Sequence, residues 1–69
     1  MEDIFTERFN EILKNEKVSQ VKLAEKIGLS KQCISDFKSG RAYPSIHTLR
    51  LICRELEVSA DYLLGLSDY

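Results

Sequence analysis

The sequence predicts an all-α chain of five short helices. Three observations carry this reading. Apolar residues recur at i, i+3, i+4 and i+7 in successive segments. A serine able to cap a helix precedes each of the last four segments, and a glycine follows three of them. β-Branched residues are sparse and no Asn-Gly or Asp-Gly hairpin turn occurs, so nothing argues for a sheet. The length of 69 residues allows one domain, because a core of that size contributes only about 3–5 kcal/mol of net stability. At 43% hydrophobic and 30% charged residues the chain is too apolar for a disordered tail.

Each helix has its own signal. Phe5, Phe9, Ile12 and Leu13 stripe a first helix that begins near Asp3 or Thr6 and ends between Asn15 and Lys17. Ser19 stands as N-cap of a second, with Leu23, Ala24 and Ile27 on its apolar face. Gly28 stops it by entering left-handed backbone space, and Leu29 completes the turn and plugs the core. Ser30 caps a third helix whose Ile34 and Phe37 point one way, while Lys31, Gln32, Ser35, Asp36 and Ser39 occupy the other face. Gly40 closes it, and a loop runs to Pro44. Ser45 caps a fourth helix with Leu49, Ile52, Cys53 and Leu56 at helical spacing, which places Cys53 in the core. The last, between Val58 and Gly65, has Ser59 as cap, Asp61 in the first turn and Gly65 as stop.

Several function classes are excluded. The longest unbroken apolar or glycine run near the C-terminus, Tyr62 to Leu66, is far short of the roughly 20 residues that span a bilayer. The acidic N-terminus lacks the basic start of a secretory signal, so a cytoplasmic location is expected. Cys33 and Cys53 are then expected to remain thiols. Together with the single His47 they have no metal-ligand spacing, so no metal site and no cofactor is expected. The net charge of −1 conceals an uneven distribution: residues 14–41 carry seven basic against three acidic side chains, a net of +4, between acidic ends. Taken alone, that is also what a solvated, lysine-rich surface would show.

Two short helices joined by a three-residue turn containing Gly28, the second with a polar and partly basic face, form a helix-turn-helix arrangement. The run from Ser19 through Gln20, Ala24, Gly28 and Ser30 to Ile34, Phe37 and Gly40, followed by Pro44-Ser45, resembles the Cro/CI type of helix-turn-helix repressor, also called the XRE family. The likeness extends over about residues 5–66. It implies a lambda-repressor-like domain over 1–69, with the motif at about 19–39 and C-terminal helices within 45–65. It also implies a sequence-specific regulator, expected to be a repressor that binds a palindromic operator in double-stranded DNA as a homodimer.

The resemblance implies residue roles. Lys31, Gln32 and Asp36 fall first, second and sixth after the Ser30 cap, where relatives read bases. Gln32 suits adenine N6/N7, Lys31 suits guanine O6/N7 or a phosphate, and Asp36 can accept from cytosine N4. Ser35 shares their face. Gln20, first in the second helix, sits where relatives bond a phosphate, although a surface glutamine would look the same. Arg41 and the N-terminus of the fourth helix, Ser45 to Thr48, are expected on the phosphate backbone. His47 and Tyr43 stay open between DNA contact and plain exposure or loop packing. Cys33 stays open between packing, contact and a redox-sensitive thiol.

Many relatives pair an arginine late in the first helix with a glutamate near the end of the third. Here those places hold Leu13 and Lys38, which leaves the Lys38 ammonium for solvent or phosphate. Val58, Tyr62, Leu66 and Tyr69 are the expected self-association residues, set against closure of the core. A second class of function is open: a protein-interaction module of the same fold, such as an antitoxin or an antirepressor-binding partner. No nucleophile, base and oxyanion set assembles, so an enzyme is not expected.

Overall fold

The computed structural model describes residues 3–68. Five helices follow one another: α1 (Ile4–Asn15), α2 (Gln20–Ile27), α3 (Lys31–Ser39), α4 (Ile46–Leu56) and α5 (Ala60–Leu64). Among the described residues there is no strand.

Local chemistry starts and stops these helices as the sequence suggests. The hydroxyls of Ser19, Ser30, Ser45 and Ser59 accept the backbone N–H three residues on, at 3.1, 3.2, 3.1 and 3.0 Å. Asp3 caps α1 in the same way through Thr6 N–H at 3.2 Å. Each cap satisfies one of the donors that a helix start leaves without an intrahelical partner. Gly28 and Gly65 end α2 and α5 at φ of +75° and +78°, where an L side chain is strained. The end of α4 needed no glycine: Glu57 itself takes the left-handed conformation, at φ 55°.

The core draws on every helix. Phe9, Leu23, Ile34, Ile52 and Leu63, one from each, have no exposed surface. Phe5, Leu13, Ala24, Ile27, Phe37 and Leu56 complete it. Phe9 stacks on Phe5 at 5.4 Å and meets Phe37 edge-on at 6.3 Å, which joins α1 to α3. α1 packs on α3 and α5, and α2 packs on α3 and α4. Four residues expected inside lie instead at the rim: Ile12, Leu29, Leu49 and Cys53 are half-buried and pack against the core from outside. Helices this short bury only the centre of each apolar stripe. Partial burial still pushes the Cys53 thiol up from its ordinary value.

Candidate nucleic-acid interface

The turn Gly28-Leu29-Ser30 sets α3 against α2, with Ala24 only 3% exposed. At 100° per residue, burial of Ile34 and Phe37 turns the opposite face of α3 outward. Lys31, Gln32 and Ser39 are exposed, whereas Ser35, Asp36, Lys38 and Cys33 are half-buried. The four residues expected to read bases therefore divide into two exposed side chains and two lying lower on the helix. Their polar ends are not independent: Gln32 Nε2 donates to Asp36 Oδ1 at 3.0 Å, and Arg41 Nη1 lies 4.0 Å from the same oxygen. Gln32, Asp36 and Arg41 thus form one connected set.

The residues expected on phosphates come from α2, from α3 and the loop after it, and from the start of α4. Gln20 opens α2 and is half-buried, while Arg41 is exposed just past α3. Ser45 and Thr48 are bound to each other, because Ser45 Oγ donates to Thr48 Oγ1 at 3.1 Å while accepting Thr48 N–H. His47 is exposed. Lys26, from the same basic stretch, is committed to Glu55 at 3.2 Å and bridges α2 to α4.

α1 acts as the scaffold, and its contribution was not visible in the sequence. Asn10 Nδ2 donates to the carbonyls of Thr6 at 2.8 Å and Lys38 at 2.9 Å, anchoring the C-terminal end of α3. Tyr43 packs its ring edge-on against Phe5 at 6.1 Å and donates its hydroxyl to Asp3, which also accepts from the Thr6 hydroxyl at 2.7 Å. The loop carrying Arg41 is therefore tied to the start of α1. The Tyr43 hydroxyl, and after it Thr6, holds the Asp3 carboxyl below the usual carboxylate range, while the same bond pushes the Tyr43 phenol up.

Also on α1, Arg8 Nη1 donates to the carbonyls of Tyr62 at 2.5 Å and Ser67 at 2.7 Å, and the guanidinium lies 4.3 Å over the Tyr62 ring. The Tyr62 hydroxyl donates to Glu11 at 3.3 Å. Of the residues expected in self-association, Val58 and Tyr62 are half-buried, Leu66 is 75% exposed, and Tyr69 lies outside the described residues. Ile46 at 88% and Leu64 at 46% are exposed apolar residues that the sequence did not single out. No helix among the described residues is long and apolar enough to cross a membrane, and no group of His, Cys, Asp and Glu among them could hold a metal ion.

A family model described as a helix-turn-helix domain matches residues 6–68. The chain belongs to the helix-turn-helix domain family. This helix-turn-helix domain is 32% identical over 65 residues to an uncharacterized HTH-type transcriptional regulator, YobD, of Bacillus subtilis, covering 94% of this chain and 58% of that protein. It is 34% identical over 59 residues to the immunity repressor protein of Bacillus phage phi105, covering 86% and 41%. It is 32% identical over 61 residues to the HTH-type transcriptional activator BcrR of Enterococcus faecalis, covering 88% and 30%. The chain thus spans between 30% and 58% of the length of these relatives. Two are named for transcription and the third as a repressor, in agreement with the expectation that the domain is not an enzyme. No solved structure matches the chain at comparable significance.

Proposed function

We propose that this chain is a sequence-specific DNA-binding transcriptional regulator of the cytoplasm, and that all of residues 1–69 serve as one helix-turn-helix domain. The observation that carries the reading is the outward face of α3, with Lys31 and Gln32 exposed behind a serine-capped turn. A helix so presented fits the major groove, its N-terminal residues at base edges and the preceding helix across the backbone. Lys31, Gln32, Ser35 and Asp36 face the bases in this reading. Gln20, Lys38, Arg41, Ser45 and Thr48 hold phosphates, which position the protein without reading sequence.

Repression by occupying an operator and excluding polymerase is the preferred mode, supported by the likeness to a phage immunity repressor. Two copies related by a two-fold axis would meet a palindromic operator with half-sites about 10 base pairs apart. The exposed Leu66, with Val58, Tyr62 and Tyr69, is the surface proposed for the second copy.

Selection of bound sequences from random duplex DNA at two salt concentrations tests this directly. A recovered palindrome, held less tightly at high salt, is the expected result. Recovery of no sequence at either salt would remove the regulator reading in favour of a protein-binding module, whose apolar interface would respond little to salt.

A further inference from the structure

Asp36 is the one acidic residue of α3, and it stands on the helix proposed to enter the groove. A carboxylate there is repelled by every nearby phosphate. Its position is explained by what it touches. Its Oδ1 accepts from Gln32 Nε2 at 3.0 Å, one helical turn back, and lies 4.0 Å from Arg41 Nη1.

A carboxylate offers acceptors only, so the Gln32 amide must turn its nitrogen and not its oxygen toward Asp36. An exposed glutamine otherwise presents either orientation. With one Nε2 hydrogen committed to Asp36, the second hydrogen and Oε1 remain as a donor beside an acceptor. Adenine completes that pair, with N7 accepting and the N6 amino group donating. Guanine presents two acceptors, N7 and O6, and sets O6 against Oε1. Arg41, on the same carboxylate oxygen, offsets the local negative charge and remains 77% exposed at its side chain toward the backbone.

We infer that Asp36 is a positioning residue for specificity: it holds Gln32 in the orientation that accepts adenine and rejects guanine, and does not itself read a base. The protein then selects A·T over G·C at one position of each half-site. This rests on the groove-reading role proposed above.

The test uses the duplex selected by the unaltered protein and the same duplex with each A·T pair of a half-site changed in turn to G·C. Binding is measured for the unaltered chain, Gln32→Ala, Asp36→Ala, Asp36→Asn and the Gln32→Ala/Asp36→Ala double variant, each checked for helical content. One position should show a loss of about 5- to 150-fold for the unaltered chain, the range of one bidentate contact. Gln32→Ala should abolish that discrimination, Asp36→Ala should reduce it at least about threefold, and the double variant should match Gln32→Ala. Asp36→Asn, which can donate as well as accept, should fall between. Non-specific duplex should bind Asp36→Ala more tightly, since a repelled charge is gone. Undiminished discrimination in Asp36→Ala, or a loss confined to a position where cytosine is preferred, would overturn the inference while leaving groove reading intact. Failure of the unaltered chain to select any sequence would overturn both.

Discussion

The guanidinium of Arg8 lies 4.3 Å over the ring of Tyr62 while donating to that residue's own carbonyl at 2.5 Å. One side chain of α1 thereby holds both the aromatic face and the backbone of α5. It also reaches the Ser67 carbonyl at 2.7 Å, so the chain beyond α5 is folded back onto the first helix. A five-residue helix has little stability of its own. Packing of Leu63 and this arginine hold it in place.

Replacing Arg8 by Ala should therefore cost about 2 kcal/mol, from charged hydrogen bonds of about 1.5–3 kcal/mol and a ring contact of about 0.5–1 kcal/mol that do not add fully. For a domain of this size the midpoint of thermal unfolding should drop by roughly 8–16 °C. Arg8→Lys should recover only part of this, because an ammonium lacks the planar fork. Circular dichroism melts decide it, and a shift below about 2 °C for Arg8→Ala would contradict the assigned role.

The Asp3–Tyr43 pair should make stability fall at both ends of the pH scale. Asp3 is held below the usual carboxylate range, first by Tyr43 and then by Thr6. Its stabilising contribution is complete above about pH 4 and is lost as pH falls through the lowered folded value. Tyr43 is raised by its bond to Asp3, so its contribution is present below about pH 10 and lost as pH rises through the raised folded value. Urea midpoints between pH 2 and 12 should show the alkaline limb flattened in Tyr43→Phe, while the acid limb persists in part through Thr6. An alkaline limb identical to that of the unaltered chain would count against the pairing.

Gly28 and Gly65 share a left-handed backbone but not their surroundings. A Cβ at Gly28 meets nothing within 4 Å, whereas one at Gly65 falls 3.0 Å from both Ile4 Cγ1 and Cγ2. Gly28→Ala should cost about 1–2 kcal/mol of backbone strain alone. Gly65→Ala should cost that and roughly 1 kcal/mol more for overlap with Ile4. A cycle with Ile4→Ala should recover the excess at Gly65 and none at Gly28. Equal costs at the two glycines, with no coupling to Ile4, would refute the overlap.

For DNA, Arg41→Ala and Gln32→Ala should differ in kind. Arg41→Ala should weaken all sequences alike and lower the salt slope by about one, as loss of a phosphate contact does. Gln32→Ala should cost about 1–3 kcal/mol on the preferred site and relax choice at one position. Gln20→Ala should resemble Arg41→Ala. Titrations of specific and random duplexes at several salt concentrations separate the two patterns, and identical behaviour would mean that α3 is not the reading element.

All five helices were legible in the sequence because their signals are local. A serine hydroxyl reaches an N–H three residues on, and a left-handed glycine acts on its own turn, so Ser19, Ser30, Ser45, Ser59, Gly28, Gly40 and Gly65 mark ends wherever the helices later pack. The end of α4 was harder to see, since Glu57 takes a conformation usually marked by glycine. The exposed face of α3 was legible too, as the complement of Ile34 and Phe37. The bond between Gln32 and Asp36 is also within reach of sequence, being a pair four apart on one helix, although the family resemblance gives each of the two its own base.

The amino-acid sequence by itself determined where this chain is helical, which stripe of each helix turns inward, and that a polar face remains on α3, because hydrophobic spacing and capping act within one or two turns. Only the tertiary structure decided what fastens those helices together. The bonds from Arg8 to Tyr62 and Ser67, from Asn10 to Lys38, and from Tyr43 to Asp3 join residues 28 to 59 positions apart. Such donors and acceptors look like ordinary surface side chains until the core brings their helices within hydrogen-bond reach.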